Sequence, residues 1–134
     1  MTDPLDPDSI RERLRPLFDR PGMRLVVLFG SRAKGTARPS SDVDLGFISN
    51  EDWLDLTNEC VRLLRTDRVD VVDLARASPL LAMAVTRYGR PLHEGEPAAW
   101  ASFSSLSLRR YCDTAKLRRL REKGIRDYIR SKGL

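Results

Sequence analysis

Apolar and polar residues alternate along the chain in two periods. Ile10, Leu14, Leu17 and Phe18 recur at helical spacing and predict a first helix from Ile10 to about Phe18. Asp8 or Ser9 would cap it, and Pro16 predicts a kink or an early end. Pro21-Gly22 then turns the chain into a run of branched and aromatic residues, Leu25 to Phe29, which predicts a buried strand. The pattern becomes extended again from Asp42 to Ile48. A helical stripe of Trp53, Leu56, Cys60, Leu63 and Leu64 follows, capped by Ser49 or Asn50 and reaching about Leu64. A third strand reads from Arg68 to Leu74. Ser78-Pro79 opens a helix that runs from Leu80 to Tyr88 and stops at Gly89. Pro91-Leu92-His93 reads as a short edge strand. From Pro97 onward the pattern predicts two helices, about 98–118 and 119–131, or one bent helix. The expected fold is a small α/β (α+β) domain. Its mixed sheet has helices on one face, and its C-terminus is helical.

The chemistry gathers between Arg24 and Phe47. After the first strand come Gly30-Ser31, where glycine lets the backbone turn and a ligand approach. If a short helix starts at Ser31, its N–H groups favour an anion, and Arg32 and Lys34 add positive charge. On the next strand Asp42 and Asp44 project to one side and Val43 and Leu45 to the other. Two strand rises separate the carboxylates by roughly 7 Å, within reach of one divalent cation or a pair of them. On the third strand Asp70 and Val72 share one face, and Val71 and Asp73 share the other. A phosphate-binding turn facing a carboxylate-held cation is what nucleotidyl or phosphoryl transfer needs.

Composition narrows the class. The chain has 134 residues, of which 41% are hydrophobic and 32% charged, as expected for one globular domain. The formal net charge is +5. Ser105 to Leu134 holds ten basic and three acidic side chains, a balance of +7, which leaves −2 for the rest. Such a tail suits an acidic partner, a nucleic acid or a membrane surface, or is a solvated helix face. The two cysteines, Cys60 and Cys112, have no metal-like spacing and suit a reduced compartment. Cys60 falls in an apolar stripe and is expected in the core. The acidic start MTDPLDPDS lacks a signal-peptide pattern, and no run is long and apolar enough to span a membrane, so a cytoplasmic location is expected. Arg87 and His93 imitate the Arg-x4–6-His motif of HEPN ribonucleases. Gly89 and Pro91 break the helix that motif requires, so His93 is expected on the surface.

Gly30-Ser31, ten intervening residues (Arg32 to Ser41) and Asp42-Val43-Asp44 resemble the signature of the DNA polymerase β-like nucleotidyltransferases. The wording GSRAKG…SDVDL and the short chain look most like the minimal nucleotidyltransferase (MNT) antitoxins of HEPN/MNT toxin–antitoxin systems. The resemblance covers most of the chain. It implies a single nucleotidyltransferase domain over 1–134, with a core of about 8–95 and a helical extension of about 96–134. It implies Asp42, Asp44 and a third carboxylate as catalytic residues and Mg²⁺ ligands; Asp70 is the better match and Asp73 the alternative. Gly30, Ser31 and Arg32 would meet the phosphates of ATP. The implied activity is transfer of AMP to a tyrosine of a HEPN RNase toxin, with no membrane and no direct nucleic-acid binding. Two other readings stay open. One is a small-molecule nucleotidyltransferase of the aminoglycoside type, for whose extra helical domain about 40 residues after Gly95 leave little room. The other is an antitoxin that acts by binding alone.

Overall fold

The computed structural model describes residues 5–133. Residues 1–4 and 134 lie outside them. The first helix, α1 (Pro7–Phe18), starts earlier than the apolar pattern implies. Its cap is Asp6, whose carboxylate accepts from the Ser9 amide at 2.8 Å, and Pro7 occupies the first turn, where no amide is needed. Pro16 does not end the helix. It stands in the last turn, where it removes at most one backbone bond.

Four strands follow among the helices: β1 (Leu25–Phe29), β2 (Val43–Ile48), β3 (Val69–Asp73) and β4 (Arg90–Glu94). They form one sheet in the order β3-β2-β1-β4. β1 pairs antiparallel with β2 and β4, while β2 and β3 run parallel. The sheet is mixed, as expected. Between the strands lie the one-turn α2 (Ser31–Lys34), α3 (Trp53–Leu64), a 3-10 turn at Leu74–Arg76, and α4 (Pro79–Tyr88). Two helices close the chain, α5 (Ala99–Asp113) and α6 (Ala115–Ser131).

Helices cover both faces of the sheet, where one covered face was expected. Val26 and Leu28 of β1 pack with Val43, Leu45 and Phe47 of β2 against Ile10, Leu14 and Leu17 of α1 and Leu56, Cys60 and Leu64 of α3. Leu25 and Val27 point the other way, against Ala82 and Val85 of α4 and Ala99 and Phe103 of α5. The reason is visible in β1 itself: its run is apolar at every position, the pattern of a strand buried on both sides. Trp53 departs from its expected place, being 57% exposed at the start of α3.

The C-terminal helices divide at Thr114, several residues before the expected break. The Arg118 guanidinium donates to the Tyr111 carbonyl at 2.8 Å and lies 3.7 Å from the Tyr111 ring centre, tying the two helices together. α5 packs on α4, whereas α6 buries none of its described side chains. Leu117, Leu120, Ile125 and Tyr128 all stand more than half exposed on it.

Candidate active site

The site is built where β1 ends and β2 begins. Gly30 leaves β1 with φ +73°, a conformation that side-chain-bearing residues rarely adopt. The same glycine lies under the Asp44 carboxylate. A Cβ built on Gly30 would collide with Asp44 Oδ2, so both the turn and the carboxylate require its absence. The Gly30 carbonyl accepts from the amides of Ala33 and Lys34, both at 3.2 Å, which closes α2 as a single turn with Ser31 half-buried at its start.

Asp44 and Asp70 are direct partners in the parallel ladder of β2 and β3. Both side chains therefore project to the same face, the one carrying α4 and α5. Asp44 is pushed up to about 6, first by burial, then by the charges of Asp70 and Asp42, and by a hydrogen bond shared with Asp70. Asp42 stands exposed just before β2. Asp73 lies elsewhere. It pairs with Phe47 in register and points to the opposite face. Its carboxylate accepts from the Ala75 amide at 3.0 Å, capping the 3-10 turn, and it lines a cleft of about 380 Å³ with Phe47, Trp53 and Val71. The geometry thus brings Asp70, not Asp73, beside Asp44.

Arg32, expected beside the phosphates, has a buried side chain. It is 2% exposed, and its guanidinium lies beneath the loop that precedes Asp42. It donates to the Ser41 carbonyl from Nε at 3.2 Å and from Nη2 at 2.9 Å. It also donates to the Arg38 and Pro39 carbonyls, each at 3.4 Å, and to the Leu5 carbonyl at 3.2 Å. Those donors are turned to backbone carbonyls rather than to an open phosphate site. The exposed cation of α2 is Lys34, whose Nζ stands 4.3 Å from the centre of the Tyr88 ring. Sequence reasoning gave Tyr88 no role; its position at the end of α4 becomes informative only once α4 is packed on β1.

A Mg²⁺ ion suits this donor set. Hard oxygen ligands are present, and a desolvated carboxylate pair that retains a proton at mildly acidic pH gains from a cation beside it. Among the described residues no three His, Cys, Asp or Glu side chains are already drawn together around one point.

The other sequence candidates resolve simply. Cys60 is buried, and burial pushes its thiol up to about 12, so it is an inert core residue. His93 is half-buried on β4, not fully at the surface, and stacks on Phe18 with centroids 4.7 Å apart. Arg87 lies on α4, so the two do not share a helix. Among the described residues no helix is long and apolar enough to cross a membrane.

A four-stranded mixed sheet with Gly-Ser at the end of one strand and Asp-x-Asp at the start of its neighbour defines a nucleotidyltransferase architecture. Residues 12–97 match the family described as Polymerase beta, Nucleotidyltransferase, and the chain belongs to that family. Over 135 aligned residues, 90% of each chain, it is 26% identical to the protein adenylyltransferase MntA of Aphanizomenon flos-aquae. It is 36% identical over 78 residues to MntA of Shewanella oneidensis, covering 54% of this chain and 55% of that one. Among solved structures, a toxin–antitoxin crystallised with AMP-PNP superposes with a TM-score of 0.70 at 26% identity, covering 88% of this chain and 97% of that one.

Proposed function

We propose that this protein is an antitoxin adenylyltransferase, which moves AMP from ATP to a tyrosine of a HEPN-family RNase toxin and so neutralises it. The observation that carries the reading is the Asp44–Asp70 pair seated over the Gly30 turn. The similarity to MntA adenylyltransferases and to a toxin–antitoxin bound to an ATP analogue supports the choice of donor and partner. We read 1–134 as one domain, with its nucleotidyltransferase core over about 8–95 and α5 and α6 as its helical extension.

Gly30 and Ser31 receive the triphosphate, because the turn exposes backbone with no Cβ in the way. Asp42, Asp44 and Asp70 would hold Mg²⁺, which supplies charge neutralisation for the triphosphate and lowers the cost of charge on the leaving oxygen. Asp70 is the better-placed base. It is exposed, whereas Asp44 is desolvated between like charges and holds its proton up to about pH 6. Asp70 takes the phenol proton as the tyrosine oxygen bonds to the α-phosphorus. The bond from that phosphorus to the bridging oxygen breaks in line, and pyrophosphate leaves. Lys34, exposed at the end of the same turn, is the cation available to the departing phosphates. Most of the rate comes from alignment and charge neutralisation. AMP on the toxin adds bulk and negative charge to its RNA-binding surface. The protein is expected to work in the cytoplasm, where ATP and the toxin's RNA substrates are found.

Incubation with labelled ATP, a HEPN toxin encoded beside it and an aminoglycoside tests the reading. Label on a toxin tyrosine supports catalysis. A tight complex without label would leave inhibition by binding alone, and label on an aminoglycoside instead would point to drug modification.

A further inference from the structure

We propose that Arg32 is a positioning residue that fixes Asp42 against the Gly30–Ser31 turn, and is not a contact for nucleotide phosphate. The inference rests on the reading of Asp42 as a metal-holding carboxylate.

A guanidinium taken out of water is costly unless its donors are satisfied. Arg32 meets that demand with the carbonyls of the segment just before β2. The Ser41 carbonyl takes two of its bonds, and that carbonyl belongs to the peptide joining Ser41 to Asp42. Fixing this peptide plane fixes where the Asp42 side chain leaves the backbone. The rest of the loop is tied to the same point. The Ser41 amide donates to the Arg38 carbonyl at 2.9 Å, the Arg38 amide to Ser41 Oγ at 2.8 Å, and Arg68 Nη1 to the Ser40 carbonyl at 2.6 Å.

Residues 35–42 have no helix or strand of their own, so these bonds replace the order that regular structure would give. Arg32 itself sits on α2, the turn that begins at Gly30-Ser31. One side chain therefore couples the turn facing the phosphates to the loop delivering the first carboxylate. The five donors of arginine are spread over a rigid planar fork and reach carbonyls on several sides, whereas the three donors of lysine sit on one compact ammonium. Through Leu5 the same guanidinium also joins the segment ahead of α1 to the loop.

The test uses the full chain with Arg32→Lys and Arg32→Gln. Mn²⁺ binding in the presence of AMP-PNP is read by electron paramagnetic resonance, without turnover. Hydrogen exchange of the amides of residues 36–43 is measured alongside. The half-saturating Mn²⁺ concentration should rise about tenfold or more, the scale typical of lost outer-shell support. Exchange across 36–43 should accelerate. AMP transfer should fall at low Mg²⁺ and recover partly at high Mg²⁺, with KM for ATP at saturating Mg²⁺ unchanged. A raised KM for ATP with unchanged Mn²⁺ binding would overturn the proposal in favour of direct phosphate contact. If neither substitution folds, Ser41→Ala and Arg68→Ala loosen the same loop without touching the buried cation. Weaker Mn²⁺ binding in these supports the proposal, and unchanged binding contradicts it. Asp42→Asn serves as the reference. Should it bind Mn²⁺ as the parent does, the metal role of Asp42 fails independently of Arg32.

Discussion

Asp44 on β2 and Asp70 on β3 are paired in parallel register with their carboxyl groups on the same face of the sheet, and the charge of Asp70 helps burial to push the Asp44 carboxyl up to about 6. A carboxylate pair so close, with one member half-buried, opposes folding once both are ionised. The fold keeps it, which is the mark of a site shaped for a ligand rather than for stability.

The cost of that pair has a pH signature. A carboxyl raised in the folded state to about 6 binds more protons folded than unfolded between its ordinary value near 3.8 and about 6. Stability without Mg²⁺ should therefore decline as pH rises through that window, with the whole penalty present above it. Asp44→Asn should melt higher than the parent at pH 7.5, with the difference vanishing toward pH 4. Melting curves of both proteins across that range measure it; a variant less stable than the parent at pH 7.5 would contradict the assignment.

Asp70 and Asp73 lie three residues apart but on opposite faces of β3, so their variants should separate cleanly. Asp70→Asn should bind nucleotide yet transfer AMP slowly, because the proton acceptor is lost. Asp73→Asn should transfer AMP nearly normally and melt close to the parent, because asparagine still offers an oxygen to the Ala75 amide and keeps the cap of the 3-10 turn. Label transfer and melting temperature for the two variants decide this, and a dead Asp73→Asn with an active Asp70→Asn would reverse the assignment.

α6 carries exposed Leu117, Leu120, Ile125 and Tyr128 among many basic residues, and none of its described side chains is buried. Removing residues from Thr114 onward should leave the melting temperature nearly unchanged and weaken the complex with the toxin. Affinity by calorimetry checks the second half; a folded truncation that binds as tightly as the full chain removes α6 from the interface.

Thiol reactivity gives an independent check on the packing. Cys112 is exposed, while Cys60 is fully buried with its thiol pushed up to about 12. One equivalent of a thiol reagent should react with the native protein at pH 7.5, at Cys112, and a second only on unfolding. Rapid modification of Cys60 in the native state would mean that α3 is not docked as described.

The strands and the carboxylates were legible because their signals are local. The alternation through Asp42-Val43-Asp44 sets which side each residue takes, and Gly30 marks a turn that needs a positive φ. The parity of β3 predicted Asp70 and Asp73 on opposite faces, but which face meets Asp44 depends on pairing between distant segments, and periodicity within one segment is silent on that. Arg32 shows the same limit. An arginine beside a Gly-Ser turn suggests phosphate, whereas the structure folds the following loop back over it and satisfies the cation with carbonyls. Helices on both faces were implicit in the unbroken apolar run of β1. The break at Thr114 carries no glycine or proline to announce it, and the exposed face of α6 looks in sequence like a helix docked on the core.

The central claim is tested most directly by mixing the purified chain, its cognate HEPN toxin, Mg²⁺ and ATP labelled at the α-phosphorus, beside Asp42→Asn and Asp44→Asn variants. Parent protein should place label on a toxin tyrosine. Each variant should lose at least about 10²-fold in rate, equivalent to roughly 3 kcal/mol of transition-state stabilisation, because Asn keeps the shape of the side chain but not its charge toward the metal. Label transfer by Asp44→Asn at the parental rate, or no transfer by the parent to any tyrosine of the toxin, would contradict the account.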